Sequence, residues 1–149
     1  MKTIPVNRLE IKINGRKKKV LVLNDMLFTN INPAATTRYI IEIGKIREEQ
    51  MSSGIWISTA AGSTAAIRAA GGEVIPISSK AIQFLVREPY QKNSSTYVLK
   101  RGITDEFIKI KNLTFRGALF IDGHYTKYNL GFGDEILICS SNSPLHLYF

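Results

Sequence analysis

The sequence predicts a mainly β domain, a sandwich or barrel of antiparallel strands with one or two short helices. Three observations predict it. β-rich runs recur about every ten residues with turn residues between them. Only one stretch has a convincing helical character. The 149 residues are enough for one hydrophobic core and too few for two, and a content of 44% hydrophobic and 21% charged residues is ordinary for a globular chain and argues against disorder.

The elements follow in order. Residues 8–13 alternate, with Leu9, Ile11 and Ile13 on one face. Asn14-Gly15 is the strongest short signal for a tight hairpin turn, and residues 19–27 read as the returning strand. Residues 39–43 form the next β-rich run, followed by a polar stretch over 47–53. Ile55-Trp56-Ile57-Ser58 is a short apolar strand, with Trp56 assigned to the core. Residues 63–70 (Ser-Thr-Ala-Ala-Ile-Arg-Ala-Ala) read as a helix stopped by Gly71-Gly72, and a second short helical turn is expected around 80–84. Further strands are expected over 96–99, 107–110, 117–121, 135–138 and 145–149. Repeats, low-complexity tracts and linkers are missing, so one compact unit is expected.

Composition narrows the function classes. No apolar run reaches the roughly 18 to 20 residues of a membrane helix, and residues 1–8 are basic without the apolar stretch of a signal peptide. The single cysteine, Cys139, supports neither an internal disulfide nor a zinc site, and is expected to be a small buried apolar residue in a reducing, cytoplasmic setting. The net charge of +8 suggests an anionic partner. Part of it is the run Arg16-Lys17-Lys18-Lys19 beside the Asn-Gly turn, which reads as a solvated hairpin tip. No aromatic-plus-basic motif accompanies it, so a nucleic-acid partner is not expected.

The chemistry concentrates between residues 52 and 90. A strand runs into Ser58-Thr59-Ala60-Ala61-Gly62-Ser63-Thr64, which then opens the helix. Small residues let a backbone approach a ligand closely, and the first N–H groups of a helix lack internal partners and favour phosphate. A binding loop for a phosphorylated or ribose-bearing ligand is one reading. A Ser or Thr cap on a tightly packed helix, needing no ligand, is the other. The segment is neither a Walker A loop nor a dinucleotide fingerprint.

Residues 53–66, followed by Ala70-Gly71-Gly72, resemble the signature of the NAD kinases, which typically reads Asp-Gly-x-x-x-Ser-Thr-Pro-Thr-Gly-Ser-Thr-Ala-Tyr and then Gly-Gly. Leu23-Asn24-Asp25 resembles the family's Leu-Asn-Glu/Asp motif, and Leu119-Phe120-Ile121-Asp122-Gly123 and Gly133-Asp134-Glu135-Ile136 resemble its final β segments. The finer likeness is to the plant-type NADH kinases, through Ser58 to Ala66, Asn24-Asp25, Pro33-Ala34-Ala35 and Val86-Arg87-Glu88-Pro89. Ala66 stands where the wider family has tyrosine, and Ser53 where it has aspartate.

The resemblance implies the β-sandwich C-terminal domain of an NAD(H) kinase, an enzyme that moves the γ-phosphate of ATP, or phosphate from polyphosphate, to the adenosine ribose 2′-hydroxyl of NAD or NADH with Mg²⁺ or another divalent metal. The family's catalytic base lies in a Gly-Gly-Asp-Gly motif of an N-terminal α/β domain. That motif is not in this sequence, so the chain is expected to be one domain of a longer enzyme and inactive alone. The resemblance assigns Asn24 and Asp25 to the ribose and adenine end of the dinucleotide. Ser58, Thr59 and Gly62 would shape the loop, Ser63, Thr64 and Ala65 would present the helix start, and Ala66 and Ala69 would line the pocket. Ser53 would face the nicotinamide side. Arg87 and Glu88 are expected to pair, His146 to be packing or exposed, and both a turn role and a ligand role stay open for Asp122. His124 is a candidate to approach the transferred phosphate. A homodimer or homotetramer is expected. The rival reading is a stand-alone dinucleotide-binding or regulatory module without catalysis.

Overall fold

The computed structural model describes residues 2–90 and 97–148. In chain order the strands are β1 (Thr3–Val6), β2 (Leu9–Ile13), β3 (Arg16–Lys17), β4 (Asp25–Asn30), β5 (Thr37–Ile43), β6 (Ile46–Ser52) and β7 (Gly54–Ser58). A 3₁₀ turn (Ala61–Thr64) and a four-residue helix, α1 (Ala66–Ala69), come next. β8 (Ile82–Arg87), β9 (Arg101–Thr104), β10 (Ile108–Asn112), β11 (Arg116–Ile121), β12 (Thr126–Gly131), β13 (Glu135–Ser140) and β14 (Leu145–Tyr148) complete the described elements.

These strands form two six-stranded antiparallel sheets, ordered β3-β2-β13-β10-β5-β6 and β12-β11-β4-β7-β8-β9, with β1 and β14 paired in a separate ribbon. The sandwich expectation holds, for the reason the alternation suggests. Leu9 and Ile11 of β2, Tyr39 and Ile41 of β5, Phe28 of β4 and Ile55 and Ile57 of β7 point inward and are fully buried in one cluster drawn from both sheets. Burying each such side chain is worth roughly 1.5–3 kcal/mol. Tyr39 enters edge-on to Phe28, centroids 5.6 Å apart, and its hydroxyl meets Gln50 Oε1 at 2.8 Å and Ser52 Oγ at 2.9 Å. Asn14 and Gly15 both have positive φ, 52° and 80°, the geometry of the tight turn their pairing predicts.

Several expectations need correction. Residues 19–27 are not one strand: the chain leaves β3, touches β2 again through a Leu9–Val22 bridge, and re-enters regular structure only at Asp25. The polar run over 47–53 belongs largely to β6, an edge strand, where charge on the open side is ordinary. The turn of helix expected around 80–84 is strand β8, a continuous buried run from Ile82 to Val86 that carries no period. The helix expected over 63–70 is broken at Ala65, whose φ of −92° and ψ of −136° separate the 3₁₀ turn from α1. Strands β1, β3, β9 and β12 were not foreseen. Of the strand expected over 96–99, Thr96 lies outside the described residues and 97–99 are not in a strand; Phe149 of the last one also lies outside them. Cys139 is half-buried on the outer face of its sheet, and burial pushes its thiol up. No helix of the described residues is long and apolar enough to cross a membrane.

Candidate functional site

The site grows from the outer face of the second sheet. On β7, Ile55 and Ile57 point into the core, so Trp56 between them must point out. It is half-buried there, a correction to its core assignment. The pairing register sets Phe120 of β11 beside Leu27 of β4, and Leu27 beside Trp56 of β7, making one apolar row. Ala65 and Ala66 stand over this row, because the 3₁₀ turn and α1 follow directly from β7 and pack back against it. Asn24, Asp25, Asp122, Gly123 and His124 supply the rest of the lining. Together these residues enclose a cavity of about 560 Å³, a size suited to a small organic ligand.

One peptide of that lining is gripped from both sides. The Asp122 carboxylate accepts hydrogen bonds from the backbone N–H groups of Leu23 (3.0 Å), Asn24 (2.7 Å) and Asp25 (3.2 Å), while Asp122 N–H donates to the Asp25 carbonyl (2.9 Å). On the other side Thr59 N–H donates to the Asn24 carbonyl (2.9 Å), and Thr59 Oγ1 donates to that of Leu23 (2.6 Å) and accepts from Gly62 N–H (3.0 Å). Gly62 lies so close that a Cβ there would sit 1.9 Å from the Asn24 oxygen. These bonds replace sheet pairing, which is why the strand expected through Leu23 and Asn24 is interrupted. They also give Asp122 the turn role, at a φ of 50°.

Burial first, and then the facing Asp122, holds the Asp25 carboxyl above the usual carboxylate range. Ser63 is buried, donating to the Ala60 carbonyl (2.7 Å) and accepting from Ile75 N–H (2.9 Å). Ser58 Oγ is buried without a partner among the described residues. The N–H groups of Gly62, Ser63 and Ala65 are all used locally and are not free for a phosphate. The hydroxyl loop is mainly a scaffold.

Four of the residues that the resemblance assigns to the dinucleotide therefore line the cavity, Asn24, Asp25, Ala65 and Ala66, as do the two further candidates Asp122 and His124. Thr59, Gly62 and Ser63 support it, while Thr64 and Ala69 are exposed outside its lining. Ser53 is not brought there. It precedes β7, about 16 Å of extended chain from Ser58, and lines a smaller cleft of about 120 Å³ with Pro33, Ala34, Ala35 and Glu88. Glu88 and Arg87 approach only to 3.9 Å at the surface. His124 is exposed at the cavity wall, its ring 4.1 Å from that of Tyr125, and His146 is exposed on β14. Leu27 and Phe120 were missed, since alternation marks their outward direction but not what they face. Lys17 reaches Glu10 at 3.0 Å and Lys18 lies over Tyr128, so the basic run is spread along the surface. Among the described residues, no group of three or more His, Cys, Asp or Glu side chains could hold a metal ion.

Solved structures define the fold. A yeast NADH kinase complexed with NADH has a TM-score of 0.79 at 21% identity, matching 96% of this chain and 42% of its own. An NAD kinase from Archaeoglobus fulgidus in complex with ATP has a TM-score of 0.80 at 17% identity, over 99% and 55%. The fold is that of the C-terminal domain of NAD kinases. No family model matches the chain. Sequence similarity is more particular. A probable NADH kinase of Oryza sativa subsp. japonica is 32% identical over 148 residues, 94% of this chain and 45% of that protein, and an NADH kinase of Arabidopsis thaliana is 38% identical over 98 residues, 65% and 31%. An NAD kinase of Methanocorpusculum labreanum is 26% identical over 141 residues, 94% and 51%. This chain is thus a homologue of the NAD(H) kinases, and it spans about half or less of the length of these relatives.

Proposed function

We propose that this chain is the dinucleotide-binding domain of an NAD(H) kinase and takes NAD or NADH in the cavity between α1 and the second sheet. The observation that carries the reading is the Asn24-Asp25 peptide, clamped by Asp122 and Thr59 at the polar end of an otherwise apolar cavity. The relatives' names and the NADH and ATP complexes of two structural neighbours support the same ligand classes. Asn24 and Asp25 hold the adenosine ribose, with Asp25 accepting from its hydroxyls. Thr59, Gly62 and Ser63 hold the loop, and Ser58 and Thr64 shape its two ends. His124 stands where a phosphate of the ligand would pass.

Phosphoryl transfer to the 2′-hydroxyl depends on positioning and charge stabilisation. The general base, the divalent metal and most contacts to ATP or polyphosphate are assigned to an α/β domain with Gly-Gly-Asp-Gly outside this chain. Ser53, in the smaller cleft, would meet the nicotinamide side of a ligand extended beyond the cavity, and a homodimer or homotetramer is part of the same reading. A cytoplasmic location fits the reading.

Calorimetric titration with NADH tests the binding half, and kinase assay with and without the α/β domain of a relative added in trans tests the catalytic half. Saturable NADH binding, with NADPH formed only in the mixture, is expected. Binding without NADPH in any mixture favours a regulatory module, and no binding to NAD or NADH overturns the reading.

A further inference from the structure

The cavity has two chemically different ends. Its polar end is built from Asn24, Asp25, Asp122 and His124: Asn24 and Asp25 suit ribose hydroxyls and His124 suits a phosphate, while the Asp122 carboxylate is taken up by backbone N–H groups. Its other end is the row Phe120, Leu27, Trp56, faced by nothing larger than the methyl groups of Ala65 and Ala66. A wall of methyls leaves room for a flat ring, and the floor opposite carries the indole of Trp56. The indole is only partly covered by the protein, and a flat ring laid on it would bury further apolar surface, since tryptophan carries one of the largest apolar surfaces of any side chain. Its neighbours on the strand, Ile55 and Ile57, already fill the core, so the outward indole has no part there.

We propose that Trp56 is a ligand-binding residue whose indole stacks on the adenine ring of the dinucleotide, fixing it against the Ala65-Ala66 wall. This rests on the dinucleotide reading of the same cavity. Adenine is the ring concerned because Asn24 and Asp25, at the adjoining polar end, are assigned to its ribose. Base–aromatic stacking tolerates ring identity but demands a flat partner.

Trp56 is the only tryptophan, so its emission reports on this wall alone. Titrations with AMP, nicotinamide mononucleotide and NADH, read by Trp56 emission and by calorimetry, test the assignment together with Trp56→Phe and Trp56→Ala. AMP is expected to quench Trp56 and nicotinamide mononucleotide to leave it unchanged. Trp56→Ala is expected to weaken NADH and AMP about tenfold or more, and Trp56→Phe by less than about threefold. NADH that binds the wild type while Trp56→Ala binds it equally overturns the stacking role and leaves the site intact. Quenching by nicotinamide mononucleotide rather than AMP overturns the ring assignment. A wild type that binds neither AMP nor NADH removes the dinucleotide reading and the stacking with it. Should Trp56→Ala fail to fold, the wild-type quenching and the Trp56→Phe affinities still decide the matter.

Discussion

Asp122, for which the sequence leaves a turn role and a ligand role open, concentrates more of the site's geometry than any other residue. Its carboxylate satisfies the N–H groups of Leu23, Asn24 and Asp25, about a hundred positions away in the chain, the first two of which lie outside any strand. Substitution by glycine keeps the φ of 50° accessible and removes only the carboxylate, whereas alanine adds the strain of a left-handed backbone, about 1 kcal/mol. Asp122→Gly is expected to cost roughly 1–3 kcal/mol in urea unfolding and Asp122→Ala about 1 more. NADH affinity should fall in both. Asp25 yields a prediction of its own. Its folded carboxyl is held above the ordinary value by burial and then by Asp122, so the folded state keeps its proton longer than the unfolded chain does. Stability must therefore fall as pH rises through the window just above the usual value of 3.8. Asp25→Asn should flatten that slope and raise the unfolding midpoint at neutral pH while weakening NADH. A steeper slope in the variant would contradict the assigned direction. The polar members of this site were legible because Asn24, Asp25 and the Ser-Thr loop carry recognisable chemistry. Leu27 and Phe120 were not, since an apolar residue on a strand reads the same whether it faces a core or a ligand.

At the level of elements, legibility followed periodicity. β2 and β5 alternate cleanly and were placed nearly as they stand. β8 was misread because both of its faces are covered, which erases the alternation and leaves an apolar run that suits helix or strand alike. The break at Ala65 was invisible for a different reason. Alanine favours helix, but Thr59 bonds to the Leu23 and Asn24 carbonyls just before β4, Gly62 to Thr59, and Ser63 to Ala60 and Ile75, and the chain must turn to make these bonds. The 3₁₀ turn is therefore held by tertiary contact, with Gly62 pressed against the Asn24 peptide. Gly62→Ala drives a Cβ into backbone atoms at 1.9 and 2.3 Å, which no side-chain rotation relieves. A loss of about 3 kcal/mol is expected by thermal unfolding, together with loss of NADH binding. If Gly62→Ala is as stable as the wild type, the turn is not seated on the Asn24 peptide.

For the molecule as a whole, the pairing of β2 with β13 and of β1 with β14 ties the two ends of the chain together, and one buried cluster unites both sheets. The cavity is not an appendage to this body. Its floor belongs to β11, β4 and β7, the interior of the second sheet, and its clamp joins the β11–β12 turn to the entrance of β4. Such a site should open only when the sandwich does. Unfolding followed by Trp56 emission, which reports on the cavity, should coincide with unfolding followed by far-ultraviolet circular dichroism, which reports on both sheets. A ligand that binds only the folded chain must then stabilise the whole transition, by about 2.7 kcal/mol when free NADH is a hundredfold above its dissociation constant. Both probes should move together by that amount in the wild type, and by much less in Asp122→Gly at the same NADH concentration. A Trp56 transition that precedes the dichroism change would mean that the outer face melts on its own. The clamp would then be coupled to the ligand but not to the fold.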